Sequence, residues 1–257
     1  QAIFLRSIIS VPPVLVMIWI TKTAIRKLSS QNKRLLWVRV SAEICTTIAF
    51  LTALKYMPLA NVTAILQALP LAVTMAAALF LAEPVGWRRW TAILVGFFGV
   101  LIVVRPGLGG FNIYSLVALA AIIFITVREI VTRKLTSEVP TITVVLSTAV
   151  GSSIFAGIMM IGVEWSAIRL TAWLLLIGAA FAVLIATILS VMAMRTGEIG
   201  FVSPFRYTSM LGAIGLGILM FGDWPDGPTL IGTIVIICTG IYTFHREQFI
   251  SKKVLPE

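Results

Sequence analysis

The feature that most constrains this chain is its series of long, uninterrupted apolar runs. Nine of them, at about 1–21, 36–54, 58–82, 88–104, 113–131, 140–162, 169–191, 199–221 and 228–245, approach or exceed the roughly 20 residues that carry a helix across a bilayer. The runs do not alternate apolar with polar residues, as strands of a membrane barrel would, so helices are expected. Composition agrees: 59% of the 257 residues are hydrophobic and 12% are charged, where a soluble domain is nearer half and a quarter. The chain therefore reads as an all-α integral membrane protein, a helical bundle with no room left for a soluble domain.

The net charge of +10 calls for no nucleic acid, because its placement has another reason. Suppose the first run ends in the cytoplasm. The inward side then holds Lys22, Arg26, Lys27, Lys33, Arg34, Arg39, Arg88, Arg89, Arg128, Arg133, Lys134, Arg195, Arg246, Lys252 and Lys253. The outward side holds Lys55, Arg105 and Arg169, while Arg6 and Arg206 fall within runs. This asymmetry is the positive-inside pattern and puts the C-terminus in the cytoplasm. Cys45 and Cys238 lie inside apolar runs, where thiols ordinarily just pack.

Two stretches align without a gap: "LKYMPLANVTAILQALPLAVTMAAALFLAE" from Leu54 and "MRTGEIGFVSPFRYTSMLGAIGLGILMFGD" from Met194. Lys55 meets Arg195, Thr63 meets Ser203, Leu71 meets Leu211 and Glu83 meets Asp223. After one inserted residue, Gly99 meets Gly240 and Arg105 meets Arg246. An internal repeat follows, with a first half at 1–105, a second at 111–246 and a cytoplasmic tail at 247–257. Its offset predicts one further helix before residue 1, so nine segments are present where ten are expected. Five helices per half is an odd number, so the halves must insert in opposite directions. The loop after Glu83 carries Arg88 and Arg89, whereas its counterpart after Asp223 carries Asp226 and no basic residue. Inverted repeats are a transporter architecture, with substrate sites near the midplane.

Charges inside the runs are functional candidates, since each costs about 3 kcal/mol or more at the bilayer centre. Arg206, in "VSPFRYTSML", either snorkels to the inner headgroups or turns its fork of donors to a solute in a cavity. Tyr207 beside it offers a stacking face and a hydroxyl. The repeat aligns Gln67, in "ILQALP" just before Pro70, with Tyr207. Arg6 reads as an outer-interface arginine or as one whose partner lies on a preceding helix. Glu43, one turn after Arg39, is either its ion-pair partner near the cytoplasmic end, or a proton-coupling carboxylate, or a partner for a buried arginine. Arg128 and Glu129 lie deeper than Arg133 and Lys134. Neighbours on a helix point about 100° apart, so these two are not expected to pair with each other. Glu129 is expected to reach Arg133, and Arg128 to seek Glu43. Glu43 and Glu129 are the coupling candidates. Gly96, Gly99, Gly212, Gly215 and Gly217 suggest close helix packing.

"ALKYMPLANVTAILQALPLAVTMAAALFLAEPVGWRRWTAILVGFFGVLIVVRPG", "SPFRYTSMLGAIGLGILMFGDWPDGPTLIGTIVIICTGIY" and "FLRSIIS" resemble EamA-type members of the drug/metabolite transporter superfamily. "VREIVTRKL" is similar to a subset that includes riboflavin and S-adenosylmethionine carriers. The resemblance implies ten helices in two inverted five-helix repeats, a small-solute substrate and a bacterial inner membrane. It also implies a central cavity among the second, third, seventh and eighth segments, which carry Glu43, Gln67, Arg206 and Tyr207. Arg6 and Arg128 complete the substrate-contact candidates.

The expected function is secondary transport of a small polar solute by alternating access. The expected partners are that solute, the lipid bilayer and, as an open alternative, a second copy in a homodimer. No cofactor or metal is expected. An intramembrane enzyme is disfavoured: Asp223 and Asp226 share a loop, His245 ends the last run, and no HExxH or GxxxxGK[ST] stretch occurs. A non-transporting scaffold is the other alternative, and would leave Arg206 among lipid headgroups.

Overall fold

The computed structural model describes residues 1–22, 28–81, 87–104, 112–162, 164–165, 167–196, 212, 215–222, 224 and 226–254. Among them there is no strand. The helices are α1 (Ala2–Thr21), α2 (Ser30–Tyr56), α3 (Leu59–Leu66), α4 (Leu69–Phe80), α5 (Trp87–Val104), α6 (Tyr114–Lys134), α7 (Thr141–Met159), α8 (Leu170–Thr196) and α9 (Gly227–Val254). Among the described residues, six helical stretches are long and apolar enough to cross a membrane. Large apolar side chains such as Leu174, Leu175, Phe181, Ile185 and Leu189 of α8 face outward. Such a surface would drive association in water, whereas lipid solvates it.

Three departures from the apolar runs have physical causes. Helix α2 begins at Ser30 rather than 36. Its polar first turns continue the helix because Asn32, 1% exposed, donates from its amide to Thr136 Oγ1 at 2.8 Å. The third run is broken between α3 and α4. Pro70 has no N–H to give to the carbonyl four residues back. The chain tightens there, with the Gln67 N–H shared between the Thr63 and Ala64 carbonyls and the Ala68 N–H on that of Ile65. Finally, α9 runs on to Val254, so most of the expected tail at 247–257 continues the last helix. The run at 199–221 lies outside the described residues apart from residue 212 and 215–221, which include one π-helical turn, Gly217–Phe221.

The chain divides into two compact units. Unit 1 is Gln1–Ile44 with Val131–Thr196, and unit 2 is Cys45–Ile130 with Gly197–Glu257. In unit 1, Phe4 lies against Gly157 and Val14 clusters with Val145, so α1 and α7 run antiparallel. Helix α8 joins them through Leu184. At one end of the unit Leu36, Leu135, Val139, Val144 and Val191 form an apolar plug. Over it Arg195 donates to the Val139 carbonyl at 2.7 Å and the Thr136 carbonyl at 2.9 Å, holding the turn between α6 and α7.

In unit 2 the buried core includes Val62, Ile65, Ala77, Val100, Ala118 and Ile236. Gly99 meets Ile236 while Gly232 meets Val103, so α5 and α9 also run antiparallel. Tyr56 and Tyr114 stack with ring centroids 4.0 Å apart. The Asn112 amide donates to the Tyr56 carbonyl at 3.3 Å. These contacts join the end of α2 to the start of α6.

Candidate functional site

A cavity of about 40 Å³ opens in unit 1 among α1, α2, α7 and α8. Its polar lining is Arg6, Ser7 and Ser10 of α1, Glu43 of α2, Thr148 and Ser152 of α7, and Thr187 of α8. Spacing on each helix explains why these groups converge. Arg6 with Ser10, and Thr148 with Ser152, are four residues apart and so share a helix face. Glu43 is the central residue of the 27-residue α2, roughly 20 Å from either end at 1.5 Å per residue. That corrects its expected place near one end, which followed from starting the segment at 36.

The hydroxyls are not equivalent. Ser10 Oγ donates to the Arg6 carbonyl at 2.9 Å, Thr148 Oγ1 to Val144 at 2.9 Å and Thr187 Oγ1 to Val183 at 2.7 Å. Each has spent its proton on the helix and keeps only acceptor lone pairs. The Arg6 guanidinium has no hydrogen-bond or ion-pair partner among the described residues. Pro12 and Pro13 follow just beyond on α1, leaving the carbonyls at 8 and 9 without their helical donors.

Behind the cavity wall stands Arg39, 2% exposed. Its Nε donates to Thr132 Oγ1 at 2.9 Å, and a terminal nitrogen donates to Thr148 Oγ1. Arg39 therefore ties α2 to the end of α6 that belongs to unit 1 and to the middle of α7. Counted with the inward-side charges in the sequence, it proves to be a buried arginine one turn from Glu43.

Gln67, Arg128 and Glu129 are not among the residues that line this cavity. Gln67, 3% exposed, sits at the break between α3 and α4 in unit 2. Its Nε2 has no hydrogen-bond partner among the described residues. Arg128 donates to Glu129 Oε1 at 2.7 Å, with Glu129 only 3% exposed. The expectation that these neighbours do not pair is overturned, because the long arginine side chain spans the 100° between their helical positions. Arg133 donates to the Met194 carbonyl at 3.4 Å. Arg206 and Tyr207 lie outside the described residues.

Comparison with known proteins gives a consistent answer. The family model described as "EamA-like transporter family" matches residues 1–105 and 112–244. A riboflavin transporter of Vibrio cholerae is 30% identical over 206 residues, covering 79% of this chain and 69% of that protein. An S-adenosylmethionine uptake transporter of Rickettsia bellii is 25% identical over 204 residues, covering 78% and 69%. A pseudopaline exporter of Pseudomonas aeruginosa is 24% identical over 215 residues, covering 82% and 74%. One protein of known crystal structure superposes with a TM-score of 0.71 at 17% identity, over 93% of this chain and 84% of that one, which shows a shared fold. The relatives carry transport names, and the family match points to transport rather than enzymatic chemistry. With the apolar helices described above, this chain is a multi-pass integral membrane protein and belongs to the EamA-like transporter family.

Proposed function

We propose that the chain is a secondary transporter that carries a small polar metabolite by alternating access across a bacterial inner membrane, with its C-terminus in the cytoplasm. The observation that carries this reading is the cavity at the middle of α2, α7 and α8, lined by Arg6, Glu43 and hydroxyls. Charge at that depth is costly, and a cavity that solvates it is a reason to keep it. The antiparallel α1–α7 and α5–α9 contacts support two inverted repeats, 1–105 and 111–246, since repeat-equivalent helices must then oppose one another. We assign solute contact to Arg6 and Glu43 in unit 1. In unit 2 the unpartnered Gln67 amide supplies a donor. Arg206 and Tyr207 keep their assignment as solute contacts. The Arg128–Glu129 pair serves coupling or structure, and Glu43 is the first choice as the coupling carboxylate. Nothing in this reading requires a homodimer.

The relatives' solutes choose the assay. Riboflavin and S-adenosylmethionine, followed into proteoliposomes holding the intact protein, should show uptake of at least one above empty liposomes. Uptake of the moved solute should respond to an imposed pH gradient. Glu43→Gln should lower it by at least tenfold and remove that response. Uptake equal to empty liposomes for both solutes, and for a wider panel of polar metabolites, would sink the proposal.

Gln67 gives a second, independent prediction. Its Nε2 contributes no internal hydrogen bond among the described residues, and burying an unmatched amide costs about 1–3 kcal/mol. Gln67→Leu should therefore keep or raise the thermal midpoint in detergent while transport falls. A lower midpoint with unchanged transport would make Gln67 a packing residue.

A further inference from the structure

We propose that the end of α8 is a gate leaf that closes the unit 1 cavity on the side of the α6–α7 turn, with Arg195 as its latch. This rests on the transporter reading and deepens it by naming how the site is closed. Helix α8 meets the rest of unit 1 along one stripe. Ala180, Leu184, Val191 and Met194 are buried, while Phe181, Ile185, Leu189 and Met192 face outward. Steps of four, seven and three residues keep the buried set on one side of the helix, and lipid solvates the other. The stripe has three parts. At Ala180, 1% exposed, the helix is pinned to α1, whose Ser10 hydroxyl lies 3.5 Å from the Ala180 carbonyl. Leu184 and Thr187 then line the cavity. Last, Val191 enters the apolar plug and Arg195 grips the turn beyond it.

The plug lies one turn past the cavity. Val191 follows Thr187 by four residues on α8, and Val144 precedes Thr148 by four on α7, a step of about 6 Å at 1.5 Å per residue. Arg195 holds the leaf against this seal. One terminal nitrogen donates to the Val139 carbonyl at 2.7 Å and to Thr141 Oγ1 at 3.3 Å, and the other to the Thr136 carbonyl at 2.9 Å. A single side chain thus grips the turn at three acceptors, one of them on a plug residue. In return, Arg133 of α6 donates to the Met194 carbonyl at 3.4 Å, in the last turn of α8 where carbonyls lack helical donors. Thr187 Oγ1 donates to the Val183 carbonyl of its own helix, a bond that weakens and often bends a helix. It marks the flexure between the pinned part and the latch. Opening exposes the plug, which costs free energy in proportion to its apolar area. It also brings water toward Asn32 Oδ1, one turn before Leu36, and Thr143 Oγ1, beside Val144. Both atoms are buried with no hydrogen-bond partner among the described residues, so their hydration offsets part of that cost.

The test is sided labelling of the intact protein in sealed vesicles, with Cys45 and Cys238 replaced by alanine and a membrane-impermeant maleimide as probe. Glu138→Cys, exposed on the α6–α7 turn, identifies the face that bears the turn. Thr187→Cys and, separately, Ser152→Cys report on the cavity. From the turn's face either reporter should react at least tenfold more slowly than Glu138→Cys. Arg195→Gln should speed that reaction at least tenfold. Arg195→Lys should lie between, since one nitrogen does not span the acceptors that the guanidinium does. Val191→Ala should speed it at least threefold with the latch in place. Labelling from the opposite face should change by less than about twofold. Should Arg195→Gln not give a monodisperse species on gel filtration, Arg195→Lys and Val191→Ala decide. Reporter rates unchanged by these substitutions, reporters as fast as Glu138→Cys without them, or equal acceleration from both faces would each overturn the gate leaf. The proteoliposome assay separates the two ideas. Solute transport together with any of those outcomes removes the gate and keeps the transporter. A sealed, Arg195-dependent face with no solute moved keeps the gate and removes the transporter.

Discussion

Gly232→Val should abolish stable folding of the protein, and Gly232→Ala should lower its stability by about 1–3 kcal/mol, the usual cost of overpacking. A Cβ at Gly232 would lie 2.6 Å from the Gly99 carbonyl oxygen and 3.2 Å from the Val103 nitrogen. Conversely, a Cβ at Gly99 would lie 2.9 Å from the Gly232 carbonyl oxygen. These obstacles are backbone atoms, which cannot swing aside as a side-chain tip can. Small residues let helix backbones approach closely in a membrane, where lipid supplies no hydrophobic drive toward association. Replacing glycine by alanine inside a helix gains up to about 1 kcal/mol of propensity, so the clash must exceed that gain for the sign to hold. Gly178 provides the control, since a Cβ there would meet nothing within 4 Å among the described residues. Gly178→Ala should keep or slightly raise the thermal midpoint, and Gly232→Ala should lower it. A wild-type midpoint for Gly232→Val would mean that α5 and α9 do not approach as described.

The contrast between those two glycines shows what a linear sequence conveys about this fold. Long apolar runs place the helices because length and hydropathy are properties of one segment. They miss the start of α2, because Asn32 is buried by a partner, Thr136, that lies far along the chain. The polar spot at Gln67 and Pro70 is legible, since proline breaks a helix from within. Which way the Gln67 amide points, and that it stays unmatched, is not. Charge counting assigns Arg39 to the inward-side group, although hydroxyls on α6 and α7 are among its acceptors. Hydroxyls leave no charge pattern to read. Helical angle alone argues against the Arg128–Glu129 pair, but it ignores how far a long arginine side chain can swing. Arg6 and Glu43 are each legible as costly charges. Their meeting at one cavity depends on α1 packing beside α7 and α8, information that only tertiary structure holds.

Arg39→Ala should destabilise the protein by about 2–4 kcal/mol, combining a truncated buried side chain with the loss of charged hydrogen bonds. Arg39→Met should separate those contributions. Methionine fills much of the space left by the arginine stem, so it removes the truncation cost and keeps the loss of the charged hydrogen bonds. Its thermal midpoint should therefore lie between those of Arg39→Ala and wild type. Transport should nonetheless fall by at least tenfold, because Thr148 would lose its hydrogen bond from α2. Arg39 reaches Thr132 through Nε and Thr148 through a terminal nitrogen; both donors leave with the guanidinium. Arg39→Lys keeps one charge but offers it from a single nitrogen, so it should recover stability better than alanine and transport only in part. The informative quantity is how the transport loss divides between KM and the maximal rate. A residue that shapes the solute site from behind should raise KM, whereas a general fall in folded protein should lower only the maximal rate. Wild-type KM and rate in a well-folded Arg39→Met protein would reduce Arg39 to a packing element, and the register of α2 against α7 would then have to rest on close contacts such as Gly151 against Val40.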